Sequence, residues 1–211
     1  MNRKEIKESA KSKIKGNLWK LLWPSLAIGA LSGMVSSLLS PKATVDITTG
    51  AVTYANASFG NSVILIVFGL VLGIAMIAYK KYVLNFVRTG KCEFNDIINC
   101  IKEKWLNIIV AEFLVGIIVA VASIVIIPGI ILAFAYTMVT YIVVDTDLSA
   151  VDSMKKSREM MKGYKWDYFV FCLSFIGWAL LIPLTFGLIL IWLEPYMAVA
   201  ETIYYERLKA K

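Results

Sequence analysis

LSAVDSMKKSREMMKGYKWDYFVFCLSFIGWALLIPLTFGLILIWLEPYMAVAETIYY, residues 148–205, is the stretch from which the fold of this chain is read. Leu148, Val151, Met154 and Met161 recur at helical spacing, while Asp152, Lys155, Lys156, Glu159 and Lys162 fill the opposite side. The pattern predicts an amphipathic helix, with Ser149 as N-cap three residues before Asp152 and Gly163 as a left-handed stop. Trp166 follows, then Tyr168 to Leu193, 26 residues without a charge. As one helix this run would measure about 39 Å, more than the roughly 30 Å of a hydrocarbon core. Pro183 and Gly187 interrupt it near the middle, so the expectation is two short spanning helices, 166–183 and 186–205, joined by a tight turn. The second of them carries Glu194-Pro195-Tyr196.

Composition agrees with a membrane class. Of 211 residues 59% are hydrophobic and only 18% charged, below the roughly 25% usual in soluble domains, and the mean hydropathy is +0.71. The net charge of +7 would raise nucleic-acid binding in a soluble protein. Here the charges fall between the apolar runs, so no nucleic-acid partner is expected.

The chain opens with Ile6, Ala10 and Ile14 at four-residue spacing among six Lys/Arg, a weaker version of the 148–162 helix. Leu18 to Leu39 is the first apolar run, broken only by Lys20 near its start, with Trp19 and Trp23 as interfacial anchors, and is read as an uncleaved spanning helix. Residues 40–62 turn polar. They are read as an extracytoplasmic loop that leaves a small hairpin around Thr49-Gly50 open, and Asn56-Ala57-Ser58 matches a sequon common by chance. Val63 to Tyr79 is the second span, ended by Lys80 and Lys81, and its Gly69 and Gly73 suit close packing within the chain rather than dimerisation. Phe94, Ile97, Ile98, Ile101 and Trp105 form one face of a second interfacial helix, opposite Asp96, Lys102, Glu103 and Lys104. Leu106 to Val144 then holds a single charge, Glu112, and a break is expected at Ile127-Pro128-Gly129.

Together these predict an all-α membrane protein, one domain over 1–211. About six transmembrane helices form three hairpins in units of about 1–86, 93–144 and 148–205, each entered through a basic amphipathic helix on the cytoplasmic side. With alternating spans, 21 of the 22 Lys/Arg fall on one side and only Lys42 on the other, which predicts both termini in the cytoplasm of a cell-membrane protein. Ile14-Lys15-Gly16-Asn17-Leu18-Trp19 also aligns with Met161-Lys162-Gly163-Tyr164-Lys165-Trp166, whereas Cys100 to Trp105 fits less well.

Several local pieces carry a family likeness. They are Lys15-Gly16-Asn17, Ile127-Pro128-Gly129, Ser157-Arg158 before Met161-Lys162-Gly163, Leu173-Ser174-Phe175-Ile176-Gly177-Trp178, Pro195-Tyr196 and Tyr204-Tyr205. With them the chain resembles a bacterial family of integral membrane proteins of unknown function, over nearly its whole length except 40–62. It is similar in plan to the membrane domain attached to some glycerophosphodiester phosphodiesterases. The resemblance implies fold and location and no activity.

The residues themselves point away from catalysis. There is no histidine, Cys92, Cys100 and Cys172 have no paired spacing, and no phosphate loop or serine elbow is present, so no enzyme, cofactor or metal is expected. Two functions remain. The first is an accessory or lipid-interacting component whose Lys155, Lys156, Lys162, Lys102 and Lys104 contact anionic headgroups of the cytoplasmic leaflet. The second is a small transporter with a polar path at Glu194, lined by Glu112, Tyr136, Tyr141 and Tyr196.

Overall fold

The computed structural model describes residues 2–39, 43–45, 48–49, 52–54 and 59–211. Lys42 and the sequon at Asn56 lie outside them. Helix α1 (Arg3–Ile14) leads into α2 (Leu18–Leu39), whose bounds are those of the first apolar run. An antiparallel pair, β1 (Ala43–Val45) and β2 (Val52–Tyr54), follows, with Thr44 opposite Thr53. The chain continues through α3 (Phe59–Thr89), α4 (Asn95–Ala122), α5 (Ile126–Tyr136) and α6 (Val139–Asp145). It closes with α7 (Ala150–Met160), α8 (Lys165–Leu173), the single turns α9 (Ile176–Ala179) and α10 (Leu181–Leu184), and α11 (Leu190–Lys209).

Among the described residues five stretches are long and apolar enough to cross a membrane: Leu18–Leu39, Phe59–Thr89, Asn95–Ala122, Pro128–Asp145 and Lys165–Leu184. α11, expected as a sixth, is not one of them. It carries Glu194, Glu201, Glu206 and Arg207, and it serves instead as the central post of the buried core through Leu193, Tyr196, Val199, Ala200, Tyr204 and Tyr205.

Burial is concentrated at the charged end of the bundle, here termed the basal end. α3 does not stop at Lys80-Lys81 but runs to Thr89, because Tyr79, Tyr82, Val83, Leu84 and Phe86 pack into that basal core. α1 lies along α11, with Ile6, Ala10 and Ile14 buried. α7 packs on α4, α5 and α6 through Ala150, Ser153, Met154 and Ser157.

Glycines decide how each unit enters. Gly16 (φ 87°) and Gly163 (φ 82°) occupy equivalent turns, so α1 bends into α2 and α7 into α8 by a left-handed residue that suits glycine. Between Asn95 and Trp105 no glycine occurs, and α4 runs straight through as one helix. The second interfacial helix expected there is therefore the first three turns of the span itself.

Prolines are accommodated rather than broken upon. The break expected at Ile127-Pro128-Gly129 lies earlier, at Ser123–Val125, and Pro128 sits in the first turn of α5, where its missing N–H removes no helical bond. Gly129 is needed for space, since a Cβ there would come within 2.8 Å of the Ser123 Cα. Pro24 sits inside α2 and leaves the Lys20 carbonyl without its helical donor. The Tyr82 hydroxyl donates to that carbonyl at 2.8 Å, and the Tyr79 hydroxyl donates to the next one, Leu21, at 2.8 Å. Tyr82→Phe is expected to cost about 1–2 kcal/mol by orphaning the Lys20 oxygen, visible as a lowered unfolding midpoint. An unchanged midpoint would mean that the helix tolerates the orphan.

Candidate functional site

The sequence-derived basic residues separate into two groups. Lys155 on α7, Lys162 in the turn and Lys165 at the start of α8 converge with Arg158 and Glu159 on a cleft of about 420 Å³. The convergence follows from local structure. Lys155, Arg158 and Lys162 lie three to four residues apart on one face, and the Gly163 turn folds Lys165 back toward them. Glu159 is the one acid in the lining. Outside it, Lys155 pairs with Asp152 at 3.2 Å, and Asp152 also accepts from the N-cap Ser149 at 2.7 Å. The Ser149 hydroxyl and the Lys155 ammonium hold the Asp152 carboxyl below its usual value. Lys156 is exposed on α7 but outside the lining.

The cleft is held at a defined height on the bundle. The buried Ser157 hydroxyl donates to the Ala135 carbonyl at 2.8 Å, which clamps α7 against the end of α5. Trp166, one residue beyond Lys165, is 73% exposed and lies against Phe169 at 5.1 Å between ring centroids.

Other lysines are occupied internally. Lys104 donates to the Thr146 carbonyl at 2.6 Å, at the end of α6, and pairs with Asp147 at 2.9 Å. Lys7 donates to the Ser174 carbonyl at the end of α8, and Lys13 to the Val87 carbonyl near the end of α3, both at 2.9 Å. Each places a cation on the carbonyl end of a helix, where it satisfies an orphan acceptor and the helix dipole. Lys102 remains exposed on α4, away from the cleft.

The acids expected within the membrane do not form one site with each other. Glu112 is exposed on α4 and lines a groove of about 800 Å³ between α3 and α4, floored by Gly69, Gly73 and Gly116. Glu194 is half-buried on α11, near Tyr79 of α3. α3 packs against both α4 and α11, and those two helices make at most marginal contact with each other. Tyr196 is buried against Phe175 and Trp192, Tyr136 is buried at the end of α5, and Tyr141 stacks on Tyr205 at 5.1 Å. These tyrosines belong to the basal core.

Arg158 and Lys165 complete the cleft but were absent from the sequence-derived set. Their signal was present in the three-to-four residue spacing of basic positions from Lys155 to Lys165. A network of Arg88, Asp145, Glu206, Lys209 and Tyr205 at the basal end was also missed, because its members are far apart in sequence.

A model of a family described as a protein of unknown function (DUF975) matches residues 108–211, from within α4 to the C-terminus. No curated protein and no solved structure matches the chain. The matched residues include the cleft, Glu112, Glu194, Tyr136, Tyr141 and Tyr196. The pieces around Lys15-Gly16-Asn17 lie outside them, and the likeness in plan to the membrane domain of some glycerophosphodiester phosphodiesterases receives no support from these matches.

Proposed function

We propose that the chain is a non-catalytic multi-pass membrane component whose basal cleft holds the headgroup of an anionic lipid, with the basal end and both termini facing the cytoplasm. The observation that carries this reading is the convergence of Lys155, Arg158, Lys162 and Lys165 around a cleft whose only lining acid is Glu159, beside an exposed tryptophan. Cations arranged in this way suit a phosphate group, and tryptophan suits the adjoining membrane–water boundary. Each Lys or Arg close to an anionic leaflet contributes about 1 kcal/mol. The count of basic residues supports the sidedness and requires only an even number of crossings. Lys104 contributes to internal capping in this reading, and Lys102 and Lys156 to the surrounding positive field. A transport path through Glu194 has weaker support, since α3 stands between Glu194 and Glu112.

The test is retention of phosphatidylglycerol by the purified protein in native mass spectrometry. K155Q/R158Q/K162Q/K165Q is expected to retain it at least tenfold less well, whereas K4Q/K11Q/K15Q/K102Q, which removes the same charge elsewhere, is expected to stay within twofold of the parent. Equal loss in both variants would reduce the effect to net charge and remove the cleft from the account.

A further inference from the structure

The geometry points to a third hairpin, α8 to α11, that does not cross the bilayer. It enters from the basal side, turns back inside the hydrocarbon, and so contacts the acyl chains of that single leaflet. This rests on the membrane reading but not on what the cleft binds.

The first observation is relative length. Lys80 of α3 donates to Thr140 at 3.0 Å, and Tyr82 and Tyr79 bond the Lys20 and Leu21 carbonyls, so Lys80, Thr140 and Lys20 share one level. From that level α2 extends outward 19 residues to Leu39 and α3 extends 21 residues to Phe59, about 30 Å each at 1.5 Å per residue. α11 runs beside α3 toward the basal end, with Arg88 bonded to Glu206 at 2.6 Å. Eight residues back from that pair, Ala198 stands level with Lys80, and α11 begins only eight residues further out, at Leu190. Even with the turn beyond it, the hairpin reaches about 15 Å, half the distance covered by α2 and α3.

The second observation is what flanks its arms. α1 carries Arg3, Lys4, Glu5, Lys7, Glu8, Lys11 and Lys13, a density of charge that excludes it from hydrocarbon. It nevertheless lies against both arms: Arg3 reaches Asp167 at 3.7 Å, Lys7 sits 4.6 Å from the Phe175 ring, and Arg207 pairs with Glu5 at 2.8 Å. Phe175 in turn packs on Tyr196, at 5.4 Å between centroids. The parts of both arms that α1 touches, up to Phe175 and Tyr196, therefore lie outside the hydrocarbon. Residues 176–195 remain for two arms and a turn, about as many as a single crossing requires.

The third observation is the tip. Leu184, Phe186 and Leu188 are all exposed, Phe186 at 96%. An apolar tip of this kind suits lipid, in contrast to the Thr- and Asn-bearing 40–62 segment. Its backbone is also closed on itself: the N–H groups of Thr185, Phe186, Gly187 and Leu188 donate to Leu181, Pro183, Ile182 and Thr185 carbonyls. The Thr185 hydroxyl donates to the Leu181 carbonyl at 2.8 Å and accepts from the Ile189 N–H at 3.4 Å. Backbone satisfied from within is the condition for a turn inside hydrocarbon. Lys165–Leu184 thus has the length and composition to cross but is spent partly in the basal core. The six expected crossings become four, and the sidedness of both termini is unchanged.

The test places a single cysteine at Leu188, and separately at Phe186, on a background with Cys92, Cys100 and Cys172 replaced. Phe186 has a positive φ (49°), so Leu188 is the primary site. A nitroxide attached there in detergent and reconstituted into phosphatidylcholine/phosphatidylglycerol vesicles is expected to collide with oxygen more often than with a water-soluble nickel chelate. The unlabelled cysteine is expected to resist membrane-impermeant maleimide from both faces, while Thr49→Cys reacts. An unchanged unfolding midpoint verifies the fold of each variant. Maleimide labelling of Leu188→Cys from either face, or preferential collision with the chelate, would overturn the half-depth hairpin.

Discussion

Asp145→Ala is expected to lower the unfolding midpoint of the purified protein by about 6–12 °C, corresponding to about 3 kcal/mol. The Asp145 side chain is only 2% exposed, yet it serves three helices. Arg88 from the end of α3 grips it with both terminal nitrogens, at 2.5 and 2.9 Å. From α11, Lys209 reaches it at 2.6 Å and the Tyr205 hydroxyl at 2.9 Å. Removing the carboxylate takes away the buried centre that both cations and the Tyr205 hydroxyl share, and among the described residues only Arg88 retains another acid, Glu206. Loss of one partner of a buried ionic cluster costs far more than loss of an exposed pair, for which about 0–1 kcal/mol is usual. A shift of under 2 °C would show that the basal network is a surface feature.

Tyr204→Ala is expected to cost about 4 kcal/mol and to reduce the yield of folded protein. The ring is fully buried, with centroids 5.1 Å from Tyr168 and 5.0 Å from Phe171, and the hydroxyl donates to Asp167 at 3.1 Å. Truncation empties the point where α8 and α11 meet. Tyr204→Phe keeps the ring and loses only the hydrogen bond, so about 1 kcal/mol is expected. Comparable melting of the two variants would mean that the hydroxyl, not the packed ring, holds α8 to α11.

Much of the plan was legible because it rests on local chemistry. The bounds of α2, the Ser149 cap and the equivalent turns at Gly16 and Gly163 each follow from a few adjacent residues. What periodicity could not show is what covers an apolar face. Ile6, Ala10 and Ile14 read as a membrane-surface stripe, but α11 covers them, so the spacing was right and the partner wrong. Lys80-Lys81 read as the end of a span, yet the helix itself continues to Thr89: where a helix stops depends on what it still has to pack on, and α3 has the basal core. The pairing of Tyr82 with the carbonyl freed by Pro24 joins residues 62 apart and has no signature in either segment alone. Within the candidate site, the lysines of α7 were legible from their spacing, whereas the diversion of Lys104 to the end of α6 depends on a contact 42 residues away.

The placement of the cleft on the anionic cytoplasmic leaflet depends on sidedness, and one measurement tests it most directly. Single cysteines at Lys156, Lys211 and Thr49, on the cysteine-replaced background, are exposed to impermeant maleimide in intact cells and again after permeabilisation. The account predicts that Thr49→Cys reacts in intact cells and that Lys156→Cys and Lys211→Cys react only after permeabilisation. Reaction of Lys156→Cys or Lys211→Cys in intact cells would put the basic cleft on the outer face and contradict it.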